Sequence, residues 1–228
     1  MKIDVMTDVL EANDRIATAN GELFKKHRNL VLNLISSPGA GKTTMLEKTA
    51  EAIKGKLRLG VVAGDIATTR DSDRLQKYKL PVVQLTTGSA CHLDANMVAY
   101  ALPHLDLSKI DVLVVENVGN LVCPAEFKVG EDYKVVMLSV TEGDEKPLKY
   151  PLIFRESALL LINKIDLLKY TNFNLKEAKA NARRVNPDLD IIDISCTTGE
   201  GISDWISWLN QRYQKKFGTK PRHKMFDY

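Results

Sequence analysis

A glycine-containing loop between an apolar run and a helical pattern constrains this chain more than any other feature. The loop spans residues 36–43 (Ser-Ser-Pro-Gly-Ala-Gly-Lys-Thr) and follows the apolar run at 30–35. This order is typical of a phosphate-binding loop, because backbone N–H groups and a helix N-terminus favour an anion. We expect Lys42 to contact the β- and γ-phosphates as a catalytic residue and the Thr43 hydroxyl to bind Mg²⁺. The predicted nucleotide contacts of the loop are Pro38, Gly39, Ala40, Gly41, Lys42, Thr43 and Thr44.

The remaining apolar runs predict the fold class. They are rich in Val, Ile and Leu without polar alternation, as in strands buried on both faces, and helical patterns separate them. We therefore expect an α/β fold, a P-loop NTPase G domain with a mostly parallel central sheet flanked by helices. Ligands should bind at the C-terminal ends of the strands. Strands are predicted at 57–63, 82–85, 112–115, 134–140, 158–162 and 191–194, and helices at 44–50, 74–78, 90–102 and 202–217.

An amphipathic helix is predicted before the first strand. Its apolar residues recur at steps of four and three, and the helix either packs on the following domain or forms a dimer seam. The interpretation is one domain, with the helix and lead-in at 1–28, the G domain at 29–217 and a basic tail at 218–228. The apolar positions are Val5, Val9, Ala12, Ile16, Ala19 and Leu23.

Composition excludes several classes of function. The 228 residues suit one α/β domain, and a formal charge of +3 gives no reason to expect nucleic acid. No apolar run is long enough to cross a bilayer, and the N-terminus lacks the hydrophobic region of a signal peptide, so we expect a cytoplasmic protein without membrane contact. Three cysteines indicate reduced thiols or metal ligands rather than a disulfide framework.

A guanine-binding motif follows the strand predicted at 158–162. Asn163, Lys164, Ile165 and Asp166 form N-K-x-D, in which the Asp166 carboxylate can accept from guanine N1–H and N2–H₂. Adenine does not offer this pair of donors, so the nucleotide is predicted to be GTP. Asn163 would hold the adjoining loop, and the Lys164 stem would lie over the base. A backbone amide for guanine O6 is expected from Ser195, Cys196 and Thr197.

Acidic residues at two strand ends predict a magnesium site. Glu116 stands where a Walker B acid would bind Mg²⁺ or its water, and Gly119 could sense the γ-phosphate. Asp65 and Asp71 lie on a loop that could order around the ion, although helix capping would also explain Asp71. Water would attack the γ-phosphorus in line, with Asp65 and Glu116 as catalytic residues. No arginine finger is evident, so slow intrinsic hydrolysis is expected.

Two cysteines and a histidine form a candidate metal site. Cys91 precedes His92, and Cys123 follows the Glu116 segment. These donors suit zinc, nickel or copper, but three are too few for a closed tetrahedral site, so a symmetric dimer would share the metal. Alternatively the thiols are buried small apolar residues. Their place beside nucleotide-responsive loops favours the metal, whereas Cys196 is interpreted as structural.

These motifs together resemble the hydrogenase nickel-incorporation GTPase family, HypB. The strings at 36–44, 64–65, 90–93, 116–124 and 163–166 carry the resemblance, which spans nearly the whole chain, and Ser36 at the first loop position agrees with the family. It implies a G domain of the signal-recognition-particle-like class that dimerises with GTP. It also implies an interfacial nickel or zinc site at Cys91, His92 and Cys123. The partners implied are a small nickel- and zinc-binding accessory protein and the [NiFe]-hydrogenase large subunit.

The leading hypothesis is a GTP-hydrolysing metallochaperone that delivers nickel during hydrogenase maturation. A urease-accessory GTPase is the nearest alternative, although Cys91 and His92 are adjacent where that relative should show Cys-Pro-His. A metal-binding regulatory module, in which nucleotide controls only assembly, is a different class of function. A small-molecule kinase is disfavoured because the motif at 163–166 selects guanine.

Overall fold

Seven parallel strands form one central sheet. The computed structural model describes residues 5–66 and 74–218 and gives the strand order β3-β2-β4-β1-β5-β6-β7. Asp71, the side chain of Val5 and residues 219–228 of the predicted tail lie outside the described residues. The strands are β1 Leu30–Ser36, β2 Leu59–Asp65, β3 Val82–Thr86, β4 Val112–Glu116, β5 Tyr133–Ser139, β6 Ser157–Asn163 and β7 Asp190–Asp193.

Helices cover both faces of this sheet, which confirms the predicted fold class. Every strand pairing among the described residues is parallel. The helices are α1 Val5–Lys26, α2 Lys42–Ile53, Ala95–Ala101, Cys123–Glu126, Lys146–Lys149, Pro151–Glu156, Leu175–Val185 and Ile202–Phe217, with 3₁₀ turns at Leu102–His104, Leu107–Lys109 and Ile165–Tyr170.

The helix predicted at 90–102 begins later than the sequence suggests. It starts at Ala95, because Asp94 acts as its N-cap and accepts a 2.7 Å hydrogen bond from the Met97 N–H. Residues 90–93 therefore form a loop between β3 and this helix. The loop carries two of the predicted metal donors, Cys91 and His92.

The N-terminal helix α1 packs on the domain through a face rotated from the predicted apolar stripe, of which Leu23 still packs against the core. Ala17 and Phe24 are buried, whereas Val9 of the stripe is 45% exposed. Polar groups select this face: Asn20 Nδ2 donates to the Ala95 carbonyl oxygen at 2.9 Å and to the Val129 carbonyl oxygen at 3.2 Å. Buried amides satisfied in this way fix a helix face that hydrophobic periodicity does not reveal.

The sheet topology brings the predicted ligand residues to one edge. The chain adds β2 and β3 on one side of β1, then returns to place β4 beside β1 and continues through β5 on the other side. Loops after strands on either side of such a switch point diverge and leave a crevice for a ligand. Within the described residues, no helix is long and apolar enough to cross a membrane.

Candidate nucleotide and metal site

The loop between β1 and α2 has a backbone conformation suited to binding a phosphate group. Gly39 and Gly41 have φ values of 74° and 105°, and a Cβ on Gly41 would lie 2.5 Å from the Asn163 Nδ2. Only glycine fits there without displacing that amide. Asn163 Nδ2 donates to the Ala40 carbonyl oxygen at 2.8 Å, so the base-side motif and the phosphate loop hold each other.

The side chains predicted to bind phosphate and magnesium converge at the start of α2. Lys42 Nζ donates to Ser36 Oγ at 3.0 Å, and Thr43 Oγ1 donates to Glu116 Oε1 at 2.8 Å. Thr43 and Glu116 are only 6% and 4% exposed. A hydroxyl and a carboxylate are hard oxygen ligands of the kind Mg²⁺ prefers. Asp65 lines the same cleft, of about 270 Å³, beside Lys42 and Glu116.

Gly119 lies directly against the phosphate loop. A Cβ at this position would be 2.8 Å from the Pro38 Cγ and 2.9 Å from the Pro38 backbone N. Any side chain would therefore push the segment after β4 away from the loop. The contact places Gly119 at the wall of the cleft that Pro38, Lys42 and Asp65 also line.

The predicted base-side residues lie together after β6 and β7. Ser195 Oγ donates to Asp166 Oδ1 at 2.5 Å, which orients this carboxylate. Lys164 has a left-handed φ of 64°, and its Nζ donates to the Gly39 carbonyl oxygen at 2.8 Å. The N–H groups of Ser195 and Cys196 donate to the Glu200 carbonyl oxygen and to Asn163 Oδ1. Two of the three predicted base-contacting amides thus have acceptors within the chain.

Cys91, His92 and Cys123 form what we call the metal-donor cluster. Their ligand atoms all lie within 4.8 Å of one another, although 32 residues separate the two cysteines. The two sulfur atoms are 3.3 Å apart, and Cys91 Sγ is 3.7 Å from His92 Nδ1. The His92 ring packs on the Phe127 ring at a centroid distance of 4.3 Å. Two soft thiols and an imidazole suit nickel or zinc.

The electrostatics of the cluster favour a protonated thiol at Cys91 and a neutral imidazole at His92. The hydrogen bond with Cys123 and, to a lesser degree, burial raise the pKa of the Cys91 thiol. Burial lowers the pKa of His92, which favours the neutral imidazole with a lone pair for a metal. Thiols must lose their protons when they coordinate, so a metal ion would replace the shared thiol proton.

Comparison with known proteins assigns the chain to a family. The model for the CobW/HypB/UreG nucleotide-binding domain matches residues 30–193. The hydrogenase maturation factor HypB of Escherichia coli K12 is 49% identical over 207 residues, which cover 91% of this chain and 71% of that protein. The chain belongs to the HypB branch of the CobW/HypB/UreG family. A HypB from Azotobacter vinelandii is 46% identical, covering 96% of this chain and 71% of that protein.

Solved HypB structures share the whole architecture. The crystal structure of HypB from Helicobacter pylori in complex with nickel has a TM-score of 0.87 and 38% identity. The match covers 94% of this chain and all of that one. HypB from Archaeoglobus fulgidus has a TM-score of 0.84 and 37% identity, covering 89% of this chain and 99% of that chain.

Two basic residues of this HypB-family chain contact the phosphate loop region without having been predicted. Lys146 Nζ donates to Ser37 Oγ at 2.6 Å. Arg74 donates to Thr44 Oγ1 at 3.0 Å and also pairs with Glu47 on α2. Neither belongs to a recognisable sequence motif, because both approach the loop from distant parts of the chain. Only the tertiary structure reveals them.

Proposed function

We propose that this chain is a GTP-hydrolysing metallochaperone that delivers nickel during [NiFe]-hydrogenase maturation. The observation that carries the proposal is the contact between two candidate sites through one segment. Residues 116–123 supply Glu116 to the magnesium position, touch Pro38 through Gly119 and end at Cys123 of the metal-donor cluster. A nucleotide that moves this segment would change the geometry of the cluster.

The groups around the cleft support GTP hydrolysis. Asp166 would select guanine, and Lys42 would stabilise the charge that develops on the phosphate oxygens. Thr43, Glu116 and Asp65 would hold Mg²⁺ or its water, and Asp71 remains part of the same proposal. Water would attack the γ-phosphorus in line, and turnover would be slow because no sequence motif supplies an arginine finger or a water-positioning glutamine.

The arrangement of the metal-donor cluster supports a GTP-dependent homodimer. One chain contributes three donors, and Cys91 is exposed, so a second copy could complete the coordination of nickel or zinc. Val122, beside Cys123, is 59% exposed, and Ile66, beside Asp65, is 52% exposed. Apolar side chains exposed beside the cluster, at Val122, and beside the cleft, at Ile66, fit a surface that a second copy covers.

The relatives supply the physiological context of the proposal. The Escherichia coli relative is a hydrogenase maturation factor, and a Helicobacter pylori relative that is 38% identical is a hydrogenase/urease maturation factor. We therefore propose the [NiFe]-hydrogenase large subunit and a small nickel- and zinc-binding accessory protein as partners, in the cytoplasm. The second name keeps urease maturation as an alternative function.

The test measures nickel stoichiometry and oligomeric state together. The full chain is run on size exclusion with metal analysis, once with Mg²⁺ and GDP and once with Mg²⁺ and a non-hydrolysable GTP analogue. We expect a dimer with interfacial nickel in the analogue, and loss of that nickel in Cys91→Ala or Cys123→Ala. A monomer with equal nickel content in both nucleotides would contradict the proposal.

The Lys42→Ala variant separates delivery from a purely regulatory module. A metallochaperone driven by hydrolysis should lose hydrogenase maturation in a complemented deletion strain. A regulatory module should retain maturation whenever the variant still dimerises. Urease activity in a strain with a urease operon distinguishes the remaining alternative.

A further inference from the structure

One segment joins the phosphate loop to the metal-donor cluster. Residues 117–123 run from the end of β4 to the helix Cys123–Glu126. At Gly119 this segment lies against Pro38, where a Cβ would be 2.8–2.9 Å from proline atoms. At Asn120 it reaches the other donor loop, because Asn120 Nδ2 donates to the Cys91 carbonyl oxygen at 3.4 Å.

A buried amide at the start of this segment makes the strongest link. Asn117 directly follows Glu116 and is 0% exposed. Its Oδ1 accepts hydrogen bonds from the Leu93 N–H at 2.9 Å and from the Val118 N–H at 3.0 Å. Leu93 is the residue after His92, so the side chain of Asn117 holds the backbone of the donor loop.

The orientation of this amide is fixed from its other side. Asn117 Nδ2 donates to Asn33 Oδ1 on β1 at 3.1 Å, and Asn33 is also 0% exposed. A buried amide whose donor and acceptor are both bonded is costly to rotate or to separate from its partners. A movement of Asn117 about its hydrogen bond to β1 would therefore carry the Leu93 N–H with it.

The side chain of Leu93 contacts the opposite wall of the magnesium cleft. Leu93 is 0% exposed, and a Cβ on Gly64 would lie 2.7 Å from the Leu93 Cγ. Gly64 precedes Asp65 at the end of β2. Leu93 is thus held between the ends of β2 and β4, where both proposed magnesium carboxylates are attached.

We propose that Asn117 is the positioning residue through which the nucleotide state sets the nickel affinity of the metal-donor cluster. The inference rests on the proposed function, since it requires a chain that binds both guanine nucleotide and nickel. A γ-phosphate at Gly119 displaces the segment, Asn117 transmits the displacement to Leu93, and His92 shifts relative to Cys123. By linkage, nickel changes the relative affinity for the two nucleotides by the same factor.

The experiment measures the ratio of two nickel dissociation constants. The full chain is titrated with Ni²⁺ against a chromophoric chelator, in saturating GDP and in a saturating non-hydrolysable GTP analogue. Couplings between sites are typically about 5- to 150-fold, and we expect Asn117→Ala to bring the ratio to within about twofold of one. Nucleotide affinities of each variant are measured separately to keep the sites saturated.

Asn29→Ala is the matched control. Asn29 is also 0% exposed, and its Nδ2 donates to the carbonyl oxygens of Leu107 and Ile110, at the other end of β1 from the phosphate loop. Its loss should lower stability to a similar extent and leave the ratio at the wild-type value. An equal reduction of the ratio in both variants would show a general structural effect and overturn the inference.

The remaining outcomes separate this inference from the proposed function. A wild-type ratio retained in Asn117→Ala overturns the role of Asn117 alone. A ratio of one in the wild-type chain contradicts the coupling itself, and with it the inference. If Asn117→Ala does not fold, hydrogen exchange of the wild-type Leu93 amide decides: protection that differs between GDP and the analogue supports the inference, and equal protection overturns it.

Discussion

The nucleotide end and the metal-donor cluster lie at the same edge of the sheet but are built differently. Thr43 and Glu116 are almost fully buried and hydrogen-bonded at 2.8 Å, and Asn163 is 1% exposed with its amide on the phosphate loop. Cys91, by contrast, is exposed on a loop that begins after β3. The groups around the candidate nucleotide cleft are therefore ordered before a ligand arrives. Of the three candidate metal donors, Cys91 is exposed and the other two are half-buried, and three donors are fewer than a closed site needs.

This difference fits two separate roles, nucleotide sensing at the buried cleft and metal exchange at the more open cluster. A pre-organised site loses little conformational entropy on binding and can transmit a small change in ligand, such as one phosphate, to the segments around it. An open set of donors can accept an ion and can release that ion when the distances between the donors change. Four predictions test whether the nucleotide cleft and the metal-donor cluster behave as distinct sites and how rigid each of them is.

The largest effect is expected from Lys42→Ala. Removal of this charge from the phosphate site should lower kcat for GTP hydrolysis by ~10²–10³-fold, the usual cost of losing one group that stabilises transition-state charge. Nickel binding without nucleotide should remain, because Lys42 belongs to the phosphate loop, where its Nζ donates to Ser36 Oγ, and is not one of the three donors. Lys48→Ala on the same helix is the control, because Lys48 pairs with Glu51 outside the phosphate loop. Hydrolysis at the wild-type rate in Lys42→Ala would contradict the assignment.

Cys123→Ala should produce the converse result at the metal end. Loss of one of three donors should weaken nickel binding by more than about 100-fold, since even groups behind the ligands contribute up to that factor. Cys196→Ala is the matched control, because this thiol is 5% exposed and burial raises its pKa to about 11. Competition with a chelator measures the nickel affinity of both variants. An equal loss in Cys196→Ala would show that the cluster has been misassigned.

Asp166→Asn tests the base-side geometry. Replacing a carboxylate that accepts from guanine N1–H and N2–H₂ removes a charged hydrogen bond of about 1.5–3 kcal/mol, so GDP affinity should fall roughly 10- to 150-fold. The new amide can donate to the 2-oxo group of xanthine, so affinity for xanthosine diphosphate should rise. Fluorescent nucleotide titrations measure both. Asp188→Asn, at an exposed site, should change neither affinity.

The smallest expected effect is on stability, from a buried lysine that contacts the helix beginning at Cys123. Lys134 is 7% exposed, its Nζ donates to the Ala125 carbonyl oxygen at 2.5 Å, and burial lowers its pKa. Between the lowered pKa and the unfolded value near 10.5, the unfolded chain binds more protons, so stability rises with pH. The free energy of unfolding of the wild type should therefore increase relative to Lys134→Met from pH 7.5 to pH 10. Urea titrations measure it, and a difference independent of pH would contradict the prediction.

Most of the fold was predictable because its signals are local. Apolar runs of Val, Ile and Leu predicted the strands to within a few residues, and the closing helix was predicted at 202–217, as observed. The face of α1 was not predictable in the same way. Its packing depends on carbonyl groups of Ala95 and Val129 that accept from Asn20, and these partners are distant in sequence.

The sequence by itself determined the phosphate loop and the base motif, because each consists of consecutive residues whose spacing is set by a strand end and a tight turn. It also predicted Cys91, His92 and Cys123 as candidate metal donors. Only the tertiary structure decided that the two sulfur atoms lie 3.3 Å apart. It also decided that Asn117 joins the loop carrying Cys91 and His92 to the sheet. These contacts depend on which strand ends are neighbours, and β4 lies beside β1 although β2 and β3 separate the two strands in the sequence.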